Sequence, residues 1–252
     1  MATDVAPTPP ESVVALEFPD GTCLARWLCT PERREDLALG WLFLEGLIEG
    51  PAAVDGFDSI SPGRVLVRFR SETRVREALS SRMRQVGPAP SLPFPENPRV
   101  PVARHPNRGE EIGPAGDPSL EALLGHPSRL QELFTEMFDR TRLKQEHGGG
   151  LHTGGLVSQA ALRDVVEDVS RSAVVDKLVG AALREGTLAR SSVLLLSGRI
   201  SATIAAKLAG AGVGAAATIS VPTNLAVEIA GGAGVSIVGR ARRESPIRYG
   251  TF

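Results

Sequence analysis

The last third of the chain alternates short apolar runs with amphipathic stretches. The apolar runs predict buried strands at 193–196, 213–219 and 235–238. The amphipathic stretches predict helices at 172–184, 201–209 and 223–230, with Ser201 placed to cap the second of them. Strands that alternate with helices at such short intervals favour a parallel sheet with right-handed crossovers. The pattern therefore predicts an α/β domain.

The first part of the chain also contains predicted strands and helices. Alternating positions predict strands at 13–18, 23–28 and 65–69, and a charged helix at 72–84. The first two strands are separated by turn-forming residues and form a predicted hairpin. Thr30 followed by Pro31 predicts the cap and the first residue of a further helix.

Proline separates these two patterns. The stretch 87–118 holds 9 of the 19 prolines, and we interpret it as an extended connector or a mobile loop. A helix follows, capped by Ser128 and predicted from the apolar stripe Leu130, Leu133, Phe134, Met137 and Phe138. We therefore divide the chain into an N-terminal α/β part (1–86), a proline-rich connector or loop (87–118) and an α/β domain (119–252).

Composition and charge narrow the classes of function. The 252 residues carry a formal net charge of −1, which argues against a nucleic-acid-binding protein that relies on its overall charge. The N-terminus lacks the basic and apolar regions of a signal peptide, and no stretch approaches the roughly 20 apolar residues of a membrane span. We therefore expect a cytoplasmic protein that binds neither nucleic acid nor membranes.

The chain has two cysteines, Cys23 and Cys29, which suit a reducing compartment and predict no disulfide framework. Both are interpreted as buried structural thiols, because a reactive thiol needs an exposed, electropositive setting. The histidines are loosely spaced and no Cys or His cluster supports a metal, so we predict no metal site.

Polar turns follow each of the three predicted parallel strands. They are Ser197-Gly198-Arg199, Ser220-Val221-Pro222-Thr223 and Gly239-Arg240. The carboxyl ends of parallel strands share one sheet edge, which is where open α/β sheets bind their ligands. Two of the turns also begin helices, whose N-termini favour anions, and Arg199 adds a fork of donors suited to phosphate. This edge is therefore a candidate phosphate or nucleotide site.

Each part of this site has a simpler alternative. Ser197-Gly198-Arg199 could be a plain strand-to-helix turn, and Thr223 could be only a helix cap. The basic run after residue 239, together with Arg248, could be a solvated tail or an anion clamp. Glu167-Asp168, ahead of a predicted helix, would usually stabilise the helix dipole, although paired carboxylates can also perform acid–base chemistry or hold a purine.

The order of short motifs in the last hundred residues resembles that of the formate dehydrogenase accessory sulfurtransferases, the FdhD/NarQ family. The motifs are Thr153-Gly154-Gly155, Glu167-Asp168-Val169, Asp176-Lys177, Ser197-Gly198-Arg199-Ile200-Ser201 and Pro222-Thr223. An N-terminal block that begins at Cys29-Thr30-Pro31 is similar to the family's Thr-Pro turn and first helix.

The resemblance implies a small N-terminal α/β part on a cytidine-deaminase-like three-layer α/β/α domain with a mixed, largely parallel sheet. It also implies a bound cargo, the molybdenum bis(molybdopterin guanine dinucleotide) cofactor. The family segment assigned to that cofactor corresponds here to Arg240, Ala241, Arg242, Arg243, Glu244 and Ser245. The implied partners are a molybdoenzyme such as formate dehydrogenase, a cysteine desulfurase and a second copy of the chain in a homodimer.

The chain departs from the family pattern at the cysteine pair and at several polar positions of the family motifs. Family members have a Cys-x-x-Cys ahead of the Thr-Gly-Gly element, whereas residues 107–113 contain no cysteine. Val157 stands where a histidine is expected, Ser170-Arg171-Ser172-Ala173 where Gly-Arg-His-Asn is expected, and Thr203 where a glutamate is expected. Since the thiolate is the sulfur carrier, no catalytic residue is assigned.

We therefore expect a maturation accessory protein that binds molybdopterin guanine dinucleotide without persulfide transfer of its own. Its predicted binding residues are the segment 240–245 together with Ser197, Gly198, Arg199 and Thr223. Two alternatives remain. One is a sulfurtransferase that uses Cys29 in place of the missing pair. The other is a non-catalytic interaction subunit that has lost the ligand, which the retained Arg199 and the basic run disfavour.

Overall fold

A computed structural model of the chain describes residues 7–61, 63–86 and 123–250. These residues form two β-sheets with helices packed against them. The connector or loop predicted at 87–118 lies outside the described residues. Within the described part of the chain, no helix is both long enough and apolar enough to cross a bilayer.

The first sheet contains four strands in the order β2-β1-β4-β3. They are β1 (Ser12–Glu17), β2 (Cys23–Cys29), β3 (Val54–Ser61) and β4 (Arg64–Phe69). β1 pairs parallel with β4, and the two outer pairs are antiparallel. The predicted hairpin and the strand at 65–69 are confirmed, as is the charged helix, α2 (Glu72–Val86). β3 is rich in aspartate and serine, so no apolar pattern predicts it.

The helix predicted to begin after Thr30 begins later. This helix, α1, spans Arg34–Leu44, and its N-cap is Arg33, which has φ 55° and makes no side-chain hydrogen bond to the helix. Thr30 is fully buried, and its hydroxyl accepts a hydrogen bond from the Val169 N–H at 3.3 Å. The predicted Thr30 cap is therefore wrong, because a segment distant in sequence takes up that hydroxyl.

The second sheet contains six strands in the order β10-β9-β8-β7-β5-β6. They are β5 (His152–Ser158), β6 (Ala161–Asp168), β7 (Val193–Leu196), β8 (Ala215–Thr218), β9 (Ser236–Gly239) and β10 (Ile247–Tyr249). β7, β8 and β9 are parallel, and the remaining neighbours are antiparallel. The three predicted parallel strands are confirmed, within a mixed sheet.

Helices cover this second sheet. They are α3 (Pro127–Asp139), α4 (Leu143–Glu146), α5 (Arg171–Glu185), α6 (Ala202–Ala211) and α7 (Asn224–Gly232). The helices predicted at 172–184, 201–209 and 223–230 are confirmed. Ser201 caps α6 by accepting a hydrogen bond from the Ile204 N–H at 3.5 Å. Ser128 is not the cap of α3, because that helix begins at Pro127 and its cap position is His126.

Alternation along the strands sends side chains to both faces of the second sheet. In β7, Leu194 and Leu196 join the larger hydrophobic core, which includes α5, α6 and α7. Val193 and Leu195 join a second core built around α3. Helices therefore cover both faces of the sheet, which gives the three-layer α/β/α arrangement.

A close helix crossing joins the two sheets. α1 and α5 meet at Gly40 and Gly180, and a Cβ on Gly40 would lie 1.8 Å from the carbonyl oxygen of Asp176. A Cβ on Gly180 would lie 1.9 Å from the carbonyl oxygen of Asp36. Glycine at both positions lets the two backbones touch, so the larger core runs continuously from the first sheet to the second.

Replacing Gly40 with alanine is expected to force α1 and α5 apart, because the added methyl group meets backbone atoms that cannot rotate away. We expect the free energy of unfolding to fall by about 3 kcal/mol, as for a severe case of overpacking. Urea denaturation measures the change. Gly231→Ala in α7 is the matched control, since a Cβ there has nothing within 4 Å. Equal midpoints for the two variants would contradict this crossing.

Candidate functional site

The predicted polar turns lie together at the carboxyl edge of β7, β8 and β9. The Thr218 hydroxyl donates to the Gly198 carbonyl oxygen at 2.7 Å, which ties the end of β8 to the turn after β7. The Arg240 N–H donates to the Ser220 carbonyl oxygen, also at 2.7 Å, which ties the next two turns together. The turns therefore form one continuous edge, as parallel neighbouring strands require.

Arg199 lines a small cleft at this edge, between the N-termini of α5 and α6, whose volume of about 10 Å³ has room for one water molecule. His152 and Arg171 line the same cleft, which we call the His152 cleft. Gly198 packs against both side chains, since a Cβ there would lie 2.7 Å from Arg171 Cδ and 3.3 Å from His152 Nδ1. Within the described residues, neither arginine is paired with a carboxylate.

His152 is a polar group that sequence reasoning does not select. Burial lowers the pKa of its imidazole, and the positive charge of Arg171 lowers it further, while Asp168 acts in the opposite direction. The ring is therefore mainly neutral at neutral pH, so one of its nitrogens donates a hydrogen bond and the other accepts one. His152 reaches the edge only because β5 pairs with β7, and the glycine-rich sequence of β5 does not predict a strand.

Ser197 and Thr223 both make hydrogen bonds within the fold. The Ser197 Oγ accepts from the Thr153 N–H at 2.8 Å. The Thr223 Oγ1 accepts from the Ala226 N–H at 3.3 Å and so caps α7. Both residues are half-buried. A role in binding a ligand stays a prediction for each of them.

The basic run after β9 is a loop and not a tail. It connects β9 to β10, which returns antiparallel beside it. Arg240 has φ 51°, and Ala241 is fully buried beneath the loop. The Gln131 side chain of α3 donates to the carbonyl oxygens of Arg242 and Arg243, each at 3.3 Å. The run is therefore not a tail, because its backbone and the Ala241 side chain are fixed by the fold, although its arginine side chains are exposed to solvent as that alternative holds.

The predicted binding residues do not form a single pocket. Arg199 lies in the His152 cleft with residues of α5 and α6, whereas Arg242 lines a separate cleft with Phe138 and Lys144 on the α3 side. The two clefts share no lining residue. The remaining exposed side chains of the predicted cofactor segment are those of Arg240, Arg243, Glu244 and Ser245.

Glu167 and Asp168 have structural roles. Glu167 accepts hydrogen bonds from three successive N–H groups at the start of α4, so it supports a different helix from the one predicted. Asp168 is fully buried, pairs with the Lys177 ammonium at 2.5 Å and accepts from the Ser170 N–H at 2.7 Å. Within the described ranges, no group of three or more carboxylate, histidine or cysteine side chains is placed to hold a metal ion.

The two cysteines lie in different environments. Cys29 is fully buried, and burial, reinforced by the negative charge of Asp168, raises the pKa of its thiol to about 12. Cys23 is exposed on β2, an edge strand of the first sheet. The prediction of a buried thiol is therefore confirmed for Cys29 and wrong for Cys23, because an edge strand leaves its outer end open to solvent.

Known proteins are similar in sequence to this chain over most of its length. A sequence model of the FdhD/NarQ family matches residues 10–251. A protein of Anaeromyxobacter sp. (strain K) named sulfur carrier protein FdhD is 33% identical over 256 residues, which cover 92% of this chain and 84% of that protein. A protein of the same name from Streptomyces avermitilis is 43% identical over 125 residues, which cover 47% of this chain and 44% of that protein.

A solved structure shares the fold. It is a protein from Desulfotalea psychrophila named as a candidate formate dehydrogenase accessory protein, with a TM-score of 0.70 and 18% sequence identity. The match covers 97% of this chain and 88% of that one. At this identity the likeness bears on the fold alone, and it confirms the α/β class expected from the sequence.

The different burial of the cysteines predicts their reactivity toward a thiol reagent such as Ellman's reagent. At pH 8 we expect Cys23 to react rapidly and Cys29 to react only after unfolding, since a thiol pKa of about 12 leaves roughly one thiolate in ten thousand. Absorbance of the released thiolate measures both phases. Cys23→Ser should remove the fast phase, and fast labelling of Cys29 in that folded variant would contradict its burial.

Proposed function

This chain belongs to the FdhD/NarQ family, and we propose that it acts as an accessory protein in formate dehydrogenase maturation. In this proposal it binds molybdopterin guanine dinucleotide at the carboxyl edge of β7, β8 and β9, and it does not itself transfer sulfur. The observation that carries the proposal is the set of arginines at this edge that have no carboxylate partner within the described residues.

The arginines at this edge all lack a carboxylate partner within the described residues, as a minority of arginines elsewhere also do: Arg26, Arg74, Arg163 and Arg190. Elsewhere, several arginines form ion pairs with carboxylates: Arg33, Arg64, Arg76 and Arg142. At the edge, no carboxylate pairs with any of the following within the described residues: Arg171, Arg199, Arg240, Arg242 and Arg243. In a chain with a formal net charge of −1, this concentrates positive potential where a phosphate would bind.

The geometry of the edge also suits a diphosphate. Ser201 caps α6 through the third N–H of the helix, and the first two N–H groups of any helix lack an acceptor within it. Arg171 and Arg199 are exposed beside that helix start and would hold phosphate oxygens at the mouth of the His152 cleft. The loop that contains Arg240 and Arg243 would hold further anionic groups of the cargo.

The cysteines favour the part of the proposal that excludes sulfur transfer. A persulfide carrier needs a thiolate that can reach its sulfur donor. Cys29 is fully buried, and its raised pKa keeps it as a thiol. Cys23 is exposed but lies on the first sheet, whereas the candidate binding edge belongs to the second. These observations disfavour the alternative of a sulfurtransferase that uses Cys29.

Titration with GDP tests the binding site. We expect the purified chain to bind GDP, and Arg199→Ala to weaken that binding about tenfold, because a charged hydrogen bond to phosphate contributes roughly 1.5 kcal/mol. Isothermal titration calorimetry measures both affinities. Arg74→Ala is the control for loss of a positive charge, since Arg74 is exposed on α2 of the first part of the chain.

Failure of GDP to bind the unaltered chain would instead support the non-catalytic interaction subunit. Binding that is unchanged by Arg199→Ala would remove the His152 cleft from the proposal. The unaltered chain should also be titrated with guanosine, which lacks phosphate. Equal affinity for guanosine and GDP would show that the arginines do not contribute.

Incubation with a cysteine desulfurase and ³⁵S-cysteine tests the absence of sulfur transfer. We expect the folded, unaltered chain to retain no label, and to match a variant in which both Cys23 and Cys29 are replaced by serine. Reductant-sensitive radioactivity after gel filtration provides the measurement. Label that the unaltered chain retains, and that is lost when Cys23 or Cys29 is replaced by serine, would overturn this part of the proposal.

A further inference from the structure

The two sheets, as the described residues form them, end in the edge strands β2, β3, β6 and β10. An edge strand presents a row of unpaired N–H and C=O groups that can pair with another chain, and short length, bulges and charged side chains are the usual means of preventing this. β10 has three residues. β3 is rich in aspartate and serine, and its pairing with β4 is irregular. β3 and β10 therefore carry such protection.

Arginine side chains protect the edge of β6. Arg140 donates to the carbonyl oxygens of Leu162 at 3.0 Å and of Arg163 at 3.3 Å. Arg129 donates to the Ala160 carbonyl oxygen at 2.9 Å, just before the strand begins. A further strand could pair with β6 only by displacing these hydrogen bonds. The chain's own side chains therefore occupy this edge.

β2 is the edge that lacks such protection. It has seven residues, contains no proline and carries one charged side chain, Arg26. Within the described residues, side-chain hydrogen bonds to its backbone are confined to that of the Cys23 thiol, which donates at 3.5 Å to the Ala25 carbonyl oxygen of the same strand. The Trp27 ring packs edge-on against Trp41 of α1 at 5.6 Å, which holds the strand in place. β2 therefore offers an ordered and unpaired edge, long enough for a further strand.

The exposed face of β2 combines an apolar side chain with a cation. Leu28 is the cross-strand partner of Val13, and 64% and 54% of their surfaces are exposed, so most of this apolar pair meets solvent. Arg26 lies two residues before Leu28 and therefore on the same face. It is exposed and forms no ion pair with a carboxylate in the part of the chain described. A partner at this edge would meet both groups.

A second copy of this chain fits the edge poorly. Arg26 is the central residue of β2. Two β2 strands that paired antiparallel over their whole length would therefore place Arg26 directly opposite its counterpart. Like charges in that position destabilise a strand pair, whereas opposite charges stabilise it. Charge complementarity favours a different partner, one with a carboxylate opposite Arg26.

We propose that β2 is a docking site for an extended segment of a partner protein, which adds to the first sheet as a new edge strand. The segment carries an acidic side chain opposite Arg26 and, two residues away on the same face, an apolar side chain that packs on Leu28. In strand addition the main-chain hydrogen bonds give affinity, and the alternate side chains give specificity. The inference does not depend on the proposed function, because the candidate binding edge belongs to the second sheet.

A synthetic peptide tests this docking site. The probe is Ser-Val-Thr-Glu-Thr-Val-Ser, blocked at both ends, which in either strand direction can place glutamate opposite Arg26 and valine opposite Leu24 and Leu28. We expect the unaltered chain to bind it and Arg26→Glu to weaken that binding about fivefold, because attraction becomes repulsion. The same variant should bind a peptide with lysine in place of glutamate about fivefold more tightly than the unaltered chain does.

Fluorescence anisotropy of the labelled peptides measures these affinities. Arg74→Glu is the matched control, since Arg74 is exposed on α2 and its reversal should leave both affinities unchanged. Thermal unfolding confirms that each variant folds. Hydrogen exchange locates the peptide: amides of β2 should exchange more slowly when it is bound, whereas those of β6, whose edge is already occupied, should not change.

Three results with the peptides would overturn the inference: no binding of the glutamate peptide, equal affinities for the two peptides, or slowed exchange elsewhere than in β2. A dimer of the chain that Leu28→Lys dissociates would also overturn it, because a second copy would then occupy β2. Analytical ultracentrifugation measures this, with Ile60→Lys on the exposed surface of β3 as the control. GDP binding by the unaltered chain is independent of all these results.

Discussion

The contact between α1 and α5 at Gly40 and Gly180 is the constraint on which the rest of the structure depends. Each glycine admits the other helix's backbone at a distance that any side chain would prevent. This close approach brings Thr30 next to Lys177, whose Nζ donates to the Thr30 carbonyl oxygen at 2.8 Å. The first sheet is thereby fixed to the second, and one hydrophobic core serves both.

Buried ion pairs accompany this crossing at some cost in stability. Lys177 pairs with Asp168, and Lys207 pairs with Asp176, in an interior that excludes water. Burial raises the pKa of Asp176 to about 6, against the opposing effect of Lys207, so the charged form is disfavoured there. Such pairs contribute less to the free energy of unfolding than apolar side chains of similar volume would. Loss of one partner, however, leaves an unpaired buried charge, which is strongly destabilising. Folding is therefore a sufficient reason for these residues to match the family pattern.

The predictions succeeded where the determining contacts are local. β7, β8 and β9 are continuous apolar runs, and Ser201 caps a helix that begins at the next residue. They failed where distant residues decide the outcome. In β5, Gly154 is needed because Val174 and Leu178 occupy the space of a side chain, which no local pattern reveals. The same holds for His152, since only the pairing of β5 with β7 brings it to the candidate binding edge.

The candidate binding edge and the two cysteines lie in different parts of this fold. The edge turns are held by hydrogen bonds of Gly198, Ser220 and Arg240, and none of these bonds involves a cysteine. Val157, which stands where the family pattern has a histidine, is fully buried in the core around α3, where an ionisable ring would be costly without a partner. Replacement of polar groups at such positions leaves the backbone of the edge intact. A chain without the cysteine pair can therefore keep the surface that the proposed cargo requires, because that surface is built from strand ends and helix starts.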